Sequence, residues 1–394
     1  MNREVFITDG HWRKTLAAAR ALGGQGIRVA VGESTRLATA MFSRHCHQAV
    51  VYPSPFFRPA EFVDYLYGRM SRRGCQMLLP MEDETLDLLS RHHSDFSKFT
   101  YLPIVSFEKL RFARRKDKVL TLAEKLGIPT PKTWLVDDLM QLDDLAERLP
   151  YPVVIKPKSG SGAVGVSYPE NAEELRARYP AIHRRFPLPL IQEMIPREGP
   201  GYGVSILMDE NGQVKASFVH KRLREYPVTG GASTLRESVR RDDIRDMAVK
   251  LLKALDWFGV AMVEFKLDPR DGLPKLMEIN PRFWGSLSLA VAAGVNFPYL
   301  LYRMSRKETF APVHHYQIGK KARWLLPGDL LHFIHNPGRS RLLPEFFRFR
   351  DFDTVYDIVS LKDPWPTLAR ILTLLTFVYD RDMKLRLKKR NHDG

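Results

Sequence analysis

Short apolar runs alternate with amphipathic stretches from the first residues onward. "EVFITDG" reads as a strand ending in a turn, and "WRKTLAAARALGGQG" follows with helical spacing and a glycine-rich stop. "IRVAVGE" is a second strand. "CQMLLPMEDE" is a further strand that ends in acids, and "TLDLLSRHHSDF" resumes helical spacing. Strands alternating with helices predict a parallel sheet with right-handed crossovers, whose ligands bind at the carboxyl ends of the strands. Asp9, Gly10 and Glu82 lie at such ends, where ordinary turn residues are an equal reading.

The pattern changes near residue 105. "SFEKLRFARRKDKVLTLAEKLGIPTPKTW" predicts one basic helix closed by Gly127, then an extended proline-rich piece. Strand "PVVIKP", a glycine loop and a returning strand "VGVSYPE" come next. A helix through "NAEELRARY" and a strand "PLIQEMI" follow. Asn211-Gly212 and Asp271-Gly272 each sit between two strand-like runs and predict hairpins. Between them "RDDIRDMAVKLLKALDW" has helical spacing.

Composition narrows the class without choosing a function. A chain of 394 residues, 44% hydrophobic and 27% charged, suits two or three globular domains. Its two cysteines, Cys46 and Cys75, cannot form a disulfide framework, which points to a reducing compartment. The "HCH" of His45 to His47 reads better as a buried cysteine between surface histidines than as a zinc site, because no second ligand group lies at the right spacing. The apolar run near the start is too short for a signal-peptide core, and no run approaches the ~18 residues of a spanning helix. The expectation is a cytoplasmic protein. A net charge of +16 suggests acidic or phosphorylated ligands. Zinc-finger spacing and RNA-recognition aromatics are both missing, so nucleic acid is not expected as a partner.

The candidate chemistry starts at "VVIKPKSGSGAVGV", residues 153–166. Gly160, Gly162 and Gly165 match a dinucleotide fingerprint, yet "VSYPE" follows them where a helix would have to start. A P-loop needs its lysine after the glycines, and here Lys156 precedes them. The protein-kinase hairpin also has its lysine after the loop, and the kinase catalytic motifs are missing. A loop between two strands acts as a flap whose N–H groups cradle phosphates, with Lys156 supplying a charge. Further on, "VEFKLDPRDGLPKLMEINPR" places Glu264 on one strand and Glu278 and Asn280, two apart, on one face of the next. Three oxygen ligands on one side suit Mg²⁺. Arg282 follows on the same face and could hold a transferring phosphoryl group.

Taken in order, these motifs resemble the ATP-grasp superfamily. "INPRFWGSLSLAVAAGVNFP" is similar to its carboxylate–amine ligase branch, with carbamoyl phosphate synthetase large chain and biotin carboxylase as more distant relatives. The resemblance runs over residues 1 to about 310. It implies an α/β fold with a Rossmann-like pre-ATP-grasp domain over 1–104. A two-lobed α+β ATP-grasp domain would span 105–310, its flap lobe about 117–190 and its hinge about 191–196. A C-terminal extension would occupy 311–394. It implies that Lys118 and Lys156 bind the ATP phosphates, that Gly160, Ser161, Gly162 and Gly165 form the flap, and that Gln192, Glu193 and Ile195 read adenine. Glu264, Glu278 and Asn280 would hold Mg²⁺, or Mn²⁺, and Arg282 would contact the γ-phosphate or acyl phosphate. Many members carry a ribose-binding acid near the start of the strand "GYGVSIL". Tyr202 and Gly203 stand there instead, which leaves Glu198 as the substitute.

The activity implied is ATP-dependent joining of a small-molecule carboxylate to an amine through an acyl phosphate. An enzyme forming a thioester or phosphorylated product, and a nucleotide-binding regulatory protein, are the alternatives. "HKRLREYPVTGGASTLRES" is the expected substrate region. His220, Arg222 and Arg224 alternate and would share a strand face suited to a carboxylate or phosphate, with Gly230 and Gly231 offering backbone N–H groups. In the extension, "DPWPTLARILTLLTFVYDRDMKLRLKKR" joins an apolar stretch to a basic end. It is open to packing on the core, to a homodimer interface or to an anionic membrane surface, with packing favoured.

Overall fold

In the computed structural model, residues 4–160, 165–228, 230–349, 351, 353–376, 380, 382, 384 and 385 are described. Strands β1 (Val5–Ile7), β2 (Val29–Glu33), β3 (Gln48–Val51) and β4 (Met77–Leu79) form a parallel sheet in the order β3-β2-β1-β4. Helix Arg13–Gly23 follows β1, and Pro59–Arg73 connects β3 to β4. β1 and β4 are fully buried, as a sheet covered by helices on both faces requires.

The single basic helix expected after residue 105 is two helices, Phe107–Arg114 and Lys116–Lys125. Arg115 between them is extended, at φ −86° and ψ 101°, with its guanidinium turned onto Asp117. That break rotates the second helix relative to the first.

β5 (Thr133–Trp134), β6 (Val153–Lys156) and β7 (Leu190–Glu193) make a small antiparallel sheet, order β5-β7-β6, closed by helix Ala172–Arg185. The returning strand expected after the glycine loop shrinks to one bridge, Ile155 to Ser167, with Pro169 O taking the Val153 amide. A proline cannot donate to a ladder, so pairing ends there. Ser161 and Gly162 lie outside the described residues.

β8 (Gly201–Met208), β9 (Val214–Tyr226), β10 (Ala232–Ser238), β11 (Gly259–Leu267), β12 (Pro274–Asn280), β13 (Lys321–Arg323) and β14 (Thr354–Tyr356) form a seven-stranded sheet. Its order is β12-β11-β8-β9-β10-β13-β14. The turns at Gly212 and Gly272 close the two expected hairpins, β8–β9 and β11–β12. β13 and β14 come from the expected extension, so that segment completes the sheet. The N-terminal layer docks through helix Arg13–Gly23 onto helices Leu287–Ala292 and Phe297–Ser305, sharing a core with Phe283, Trp284 and Phe297.

Near the C-terminus, helix Trp365–Thr376 turns Ala369, Arg370 and Thr373 inward, and the Arg370 guanidinium donates to the His11 carbonyl. Asp382 accepts from Ser34 and Ser54, and Asp380 meets His11. This segment therefore covers the carboxyl ends of β1 to β3. Trp365, Leu368, Leu372 and Leu375 of the same helix stay exposed. Among the described residues, no helix is long and apolar enough to cross a membrane.

Candidate active site

The antiparallel pairing of β11 with β12 sets Glu264 opposite Glu278. Asn280, two residues on, donates through Nδ2 to Glu264 Oε1 at 2.9 Å and Glu278 Oε1 at 3.3 Å. The three expected oxygen ligands therefore meet. Two cations hold them. Arg222 Nη2 lies 2.5 Å from Glu264 Oε2, and Lys116 Nζ lies 3.1 Å from Glu278 Oε2.

Two glycines make this possible. Arg222 sits on β9 and Glu264 on β11, with β8 between them. A Cβ on Gly203 would come 2.3 Å from His220 Cε1, and one on Gly201 would come 3.1 Å from Arg222 Cδ. Without side chains there, the β9 residues lean across β8 toward the carboxylates. This gives a physical reason for the glycines at the start of β8.

Lys116, rather than the expected Lys118, reaches the cluster. Its ammonium also donates to Gly160 O at 2.7 Å, tying the flap's entry to Glu278. Lys118 is exposed and lies 5.8 Å from the centre of the Phe112 ring. Residues two apart on a helix point in nearly opposite directions, and the break at Arg115 decides which one faces in. Lys156 donates to Gln192 Oε1 at 2.8 Å, and Gln192 Nε2 donates to Thr133 at 2.9 Å.

The electrostatics are those of a crowded ionic site. Burial, with Lys116 nearby, lowers Lys156 to about 8 despite Glu278. Burial raises Glu264 above the ordinary carboxyl range, with Glu278 adding to the shift and Arg222 opposing it. At Glu278 burial also works to raise the carboxyl, but Lys116, Arg222 and Lys156 outweigh it and hold it low. Among the described residues, no three His, Cys, Asp or Glu side chains are grouped to hold a metal. Two facing carboxylates and an amide nonetheless fit a hard cation that also takes phosphate oxygens, and the cost of burying Glu264 beside Glu278 is what such an ion would relieve.

Arg282 is anchored from the N-terminal layer. Its Nε donates to Asp83 Oδ2 at 2.9 Å, and Asp83 also takes Arg114 at 3.0 Å. Glu82, at the end of β4, pairs with Lys14 at 2.7 Å, and Lys14 donates to Phe283 O at 3.1 Å. Burial and Arg282 bring Lys14 down to about 8. Asp9 is wholly buried and accepts from the Met81 and Glu82 amides, so it builds the turn after β4.

The remaining candidates divide. Glu193 is occupied by the Lys132 amide at 2.8 Å and Arg270 at 2.9 Å. Ile195 is buried, and Glu198 is exposed. Gly165 packs under Phe186 and Pro157. His220 is buried, and its Nε2 lies 3.3 Å from Ser286 Oγ. Burial, Arg222 and Arg236 keep its imidazole neutral, well below the usual range. Arg224 turns to Asp329, 2.9 Å away, in the C-terminal segment. The Gly230 and Gly231 amides are engaged inside the hairpin, on Pro227 O at 3.1 Å and Glu225 Oε2 at 3.4 Å, so they do not present free donors. Cys46 is partly buried, and burial raises its thiol to about 11, as for an inert core cysteine.

Residues 185–324 match a family described as ATP-grasp in the biosynthetic pathway with Ter operon. The chain is 26% identical over 238 residues to a D-aspartate ligase of Enterococcus faecium, covering 56% of each chain. It is 28% identical over 197 residues to a D-alanine–D-alanine ligase of a Thermoanaerobacter species, covering 45% of this chain and 54% of that enzyme. It thus spans about half the length of these curated relatives. Its fold matches the biotin carboxylase domain of Hydrogenobacter thermophilus 2-oxoglutarate carboxylase, solved with MgADP and bicarbonate. That match has a TM-score of 0.67 at 16% identity and covers 81% of this chain and 73% of that one. An L-amino acid ligase from Bacillus licheniformis matches with a TM-score of 0.60 at 18% identity, over 77% and 74%. The chain shares the fold of these two solved enzymes, and residues 185–324 resemble the ATP-grasp family. In sequence it resembles the carboxylate–amine ligases.

Proposed function

We propose that the protein is an ATP-dependent ligase that activates a carboxylate as an acyl phosphate and joins it to an amine. The observation that carries this reading is the convergence of Lys116, Lys156, Glu264, Glu278 and Asn280 at one end of β11 and β12, with Arg282 within electrostatic reach of Glu278. Lys156 and Lys116 supply charge to the nucleotide phosphates. Gln192, Glu193 and Ile195 form the wall proposed for adenine. Glu264, Glu278 and Asn280 would hold Mg²⁺, which would supply positive charge to offset that of the phosphates.

In the first step a substrate carboxylate oxygen attacks the γ-phosphorus, and the bond to the β-γ bridging oxygen breaks to give acyl phosphate and ADP. Arg282, positioned by Asp83, offsets charge on the transferred group. An amine then attacks the acyl carbon, phosphate leaves, and the amine loses a proton. The departing phosphate takes up that proton, since burial, Arg222 and Arg236 all oppose protonation of the nearby His220.

The test is ADP release with Mg²⁺ and a panel of carboxylates, with hydroxylamine as a surrogate amine. A hydroxamate formed in step with ADP establishes the acyl phosphate. ADP release that never yields hydroxamate or amide with any productive carboxylate overturns the reading.

A further inference from the structure

Behind the proposed metal cluster lies a second ionic site built from three parts of the chain. Arg236 on β10 is paired in register with Arg222 on β9, so the two side chains share a face. Arg236 is fully buried and donates to Asp357, Ser288 and Gly285 O through Nη2 alone. Its Nε and Nη1 are buried and have no hydrogen-bond partner among the described residues. Arg13, at the start of the helix after β1, lies 3.5 Å from the same Asp357, stacks 4.0 Å over the Trp324 ring and donates to Ser233 O at 3.2 Å. Trp324 Nε1 is also buried without a partner among the described residues. Asp329 is likewise shared by two arginines, Arg224 at 2.9 Å and Arg323 at 2.6 Å.

Each buried aspartate thus serves two guanidiniums. A buried cation is stable only when paired, and a buried N–H left without an acceptor is costly. Arg236 presents two such N–H positions next to a site that handles acidic ligands. His220 links the two regions, since both Arg222 and Arg236 act on its charge. Gly285 leaves the room that Arg13 occupies, because a Cβ there would stand 2.5 Å from Arg13 Nη2.

We propose that Arg236, with Arg13 and Trp324, forms the subsite for a second anionic group on the substrate. The carboxylate to be activated lies at the Arg222 end, and a second carboxylate or phosphate of the same molecule accepts from Arg236. The ligand class is therefore a dianion, and the C-terminal segment, through Trp324, Asp329 and Asp357, is part of its pocket. Calling this ligand the substrate rests on the ligase reading; the anion site itself does not.

The test uses the full chain and measures thermal stabilisation by succinate and by inorganic phosphate, against acetate and chloride at equal ionic strength. Each is run with and without saturating MgADP. Wild type should be stabilised by succinate or phosphate at concentrations where acetate and chloride do nothing. Arg236→Gln should raise the half-saturating concentration about tenfold or more, a loss of about 1.4 kcal/mol or more. If Arg236→Gln does not fold, Arg13→Gln gives the same readout from another element. Equal response to dianion and acetate in wild type, or an unchanged response in a folded variant, overturns the proposal. If succinate binds through Arg236 while MgADP does not bind, the ligase reading fails and this one stands. If MgADP binds and dianions show no preference, the reverse holds.

Discussion

Replacing Lys156 with methionine should make the nucleotide-free protein more stable while ending its activity. Folding buries the ammonium and brings its pKa from the ordinary 10.5 to about 8, chiefly through desolvation. That gap corresponds to about 3 kcal/mol against the folded state at pH 7, at about 1.4 kcal/mol per pH unit. Methionine fills a similar volume without the charge. It also leaves Gln192 Oε1 without the 2.8 Å donor, a loss of about 1 kcal/mol. The net expectation is a gain of about 2 kcal/mol, a rise in melting temperature of about 4 °C. The pH dependence carries the sign. Below pH 8 the lysine is charged in both states and the penalty is full. Between 8 and 10.5 the folded lysine is neutral while the unfolded one is still protonated, so the penalty falls, and above 10.5 it is gone. The gap between the melting curves of wild type and Lys156→Met should therefore shrink from pH 7 upward and reverse near pH 10.5, where only the lost hydrogen bond, about 1 kcal/mol, remains. A variant less stable than wild type at pH 7, or a gap that does not change with pH, would refute the reasoning.

Three further expectations concern other parts of the molecule. Lys116→Ala should reduce ATP turnover about a hundredfold, by removing a charge at the phosphates, while Lys118→Ala stays within about twofold; equal losses in steady-state assays would contradict the inward placement of Lys116. Asp329→Asn removes the buried anion shared by Arg224 and Arg323, so denaturant titration should show a loss of about 3–5 kcal/mol, and a loss under about 1 would mean the arginines find other partners. Gly203→Ala forces His220 aside and should cost about 1–3 kcal/mol together with a larger loss of turnover, read by parallel melting and activity measurements.

Much of this site was legible in the sequence because strand periodicity is strict. Glu278 and Asn280 had to share a face, and the Asp271-Gly272 turn had to bring Glu264 beside them. Lys118 follows from the family resemblance alone, and nothing local in "ARRKDK" marks Arg115 as extended or Lys116 as inward-facing; the pairing of Arg115 with Asp117 is a side-chain event. Arg236 did leave a signal, since Thr234, Arg236 and Ser238 alternate on β10 and are all buried. What no periodicity could show is the long-range pairing. Asp83 reaches Arg282, Asp357 reaches Arg236 and Asp329 reaches Arg224 from segments 105 or more residues apart. The role of the C-terminal segment was illegible for the same reason: β13 and β14 are only three residues each and gain their place from pairing with β10.

The measurement that bears most directly on the account is calorimetric binding of Mg-ATP to wild type, Lys156→Met and Glu278→Gln. The account predicts binding to wild type, a loss of about tenfold or more in each variant, and for Glu278→Gln a loss that disappears when Mg²⁺ is withheld. Equal affinity in all three proteins would contradict the placement of the nucleotide on this cluster.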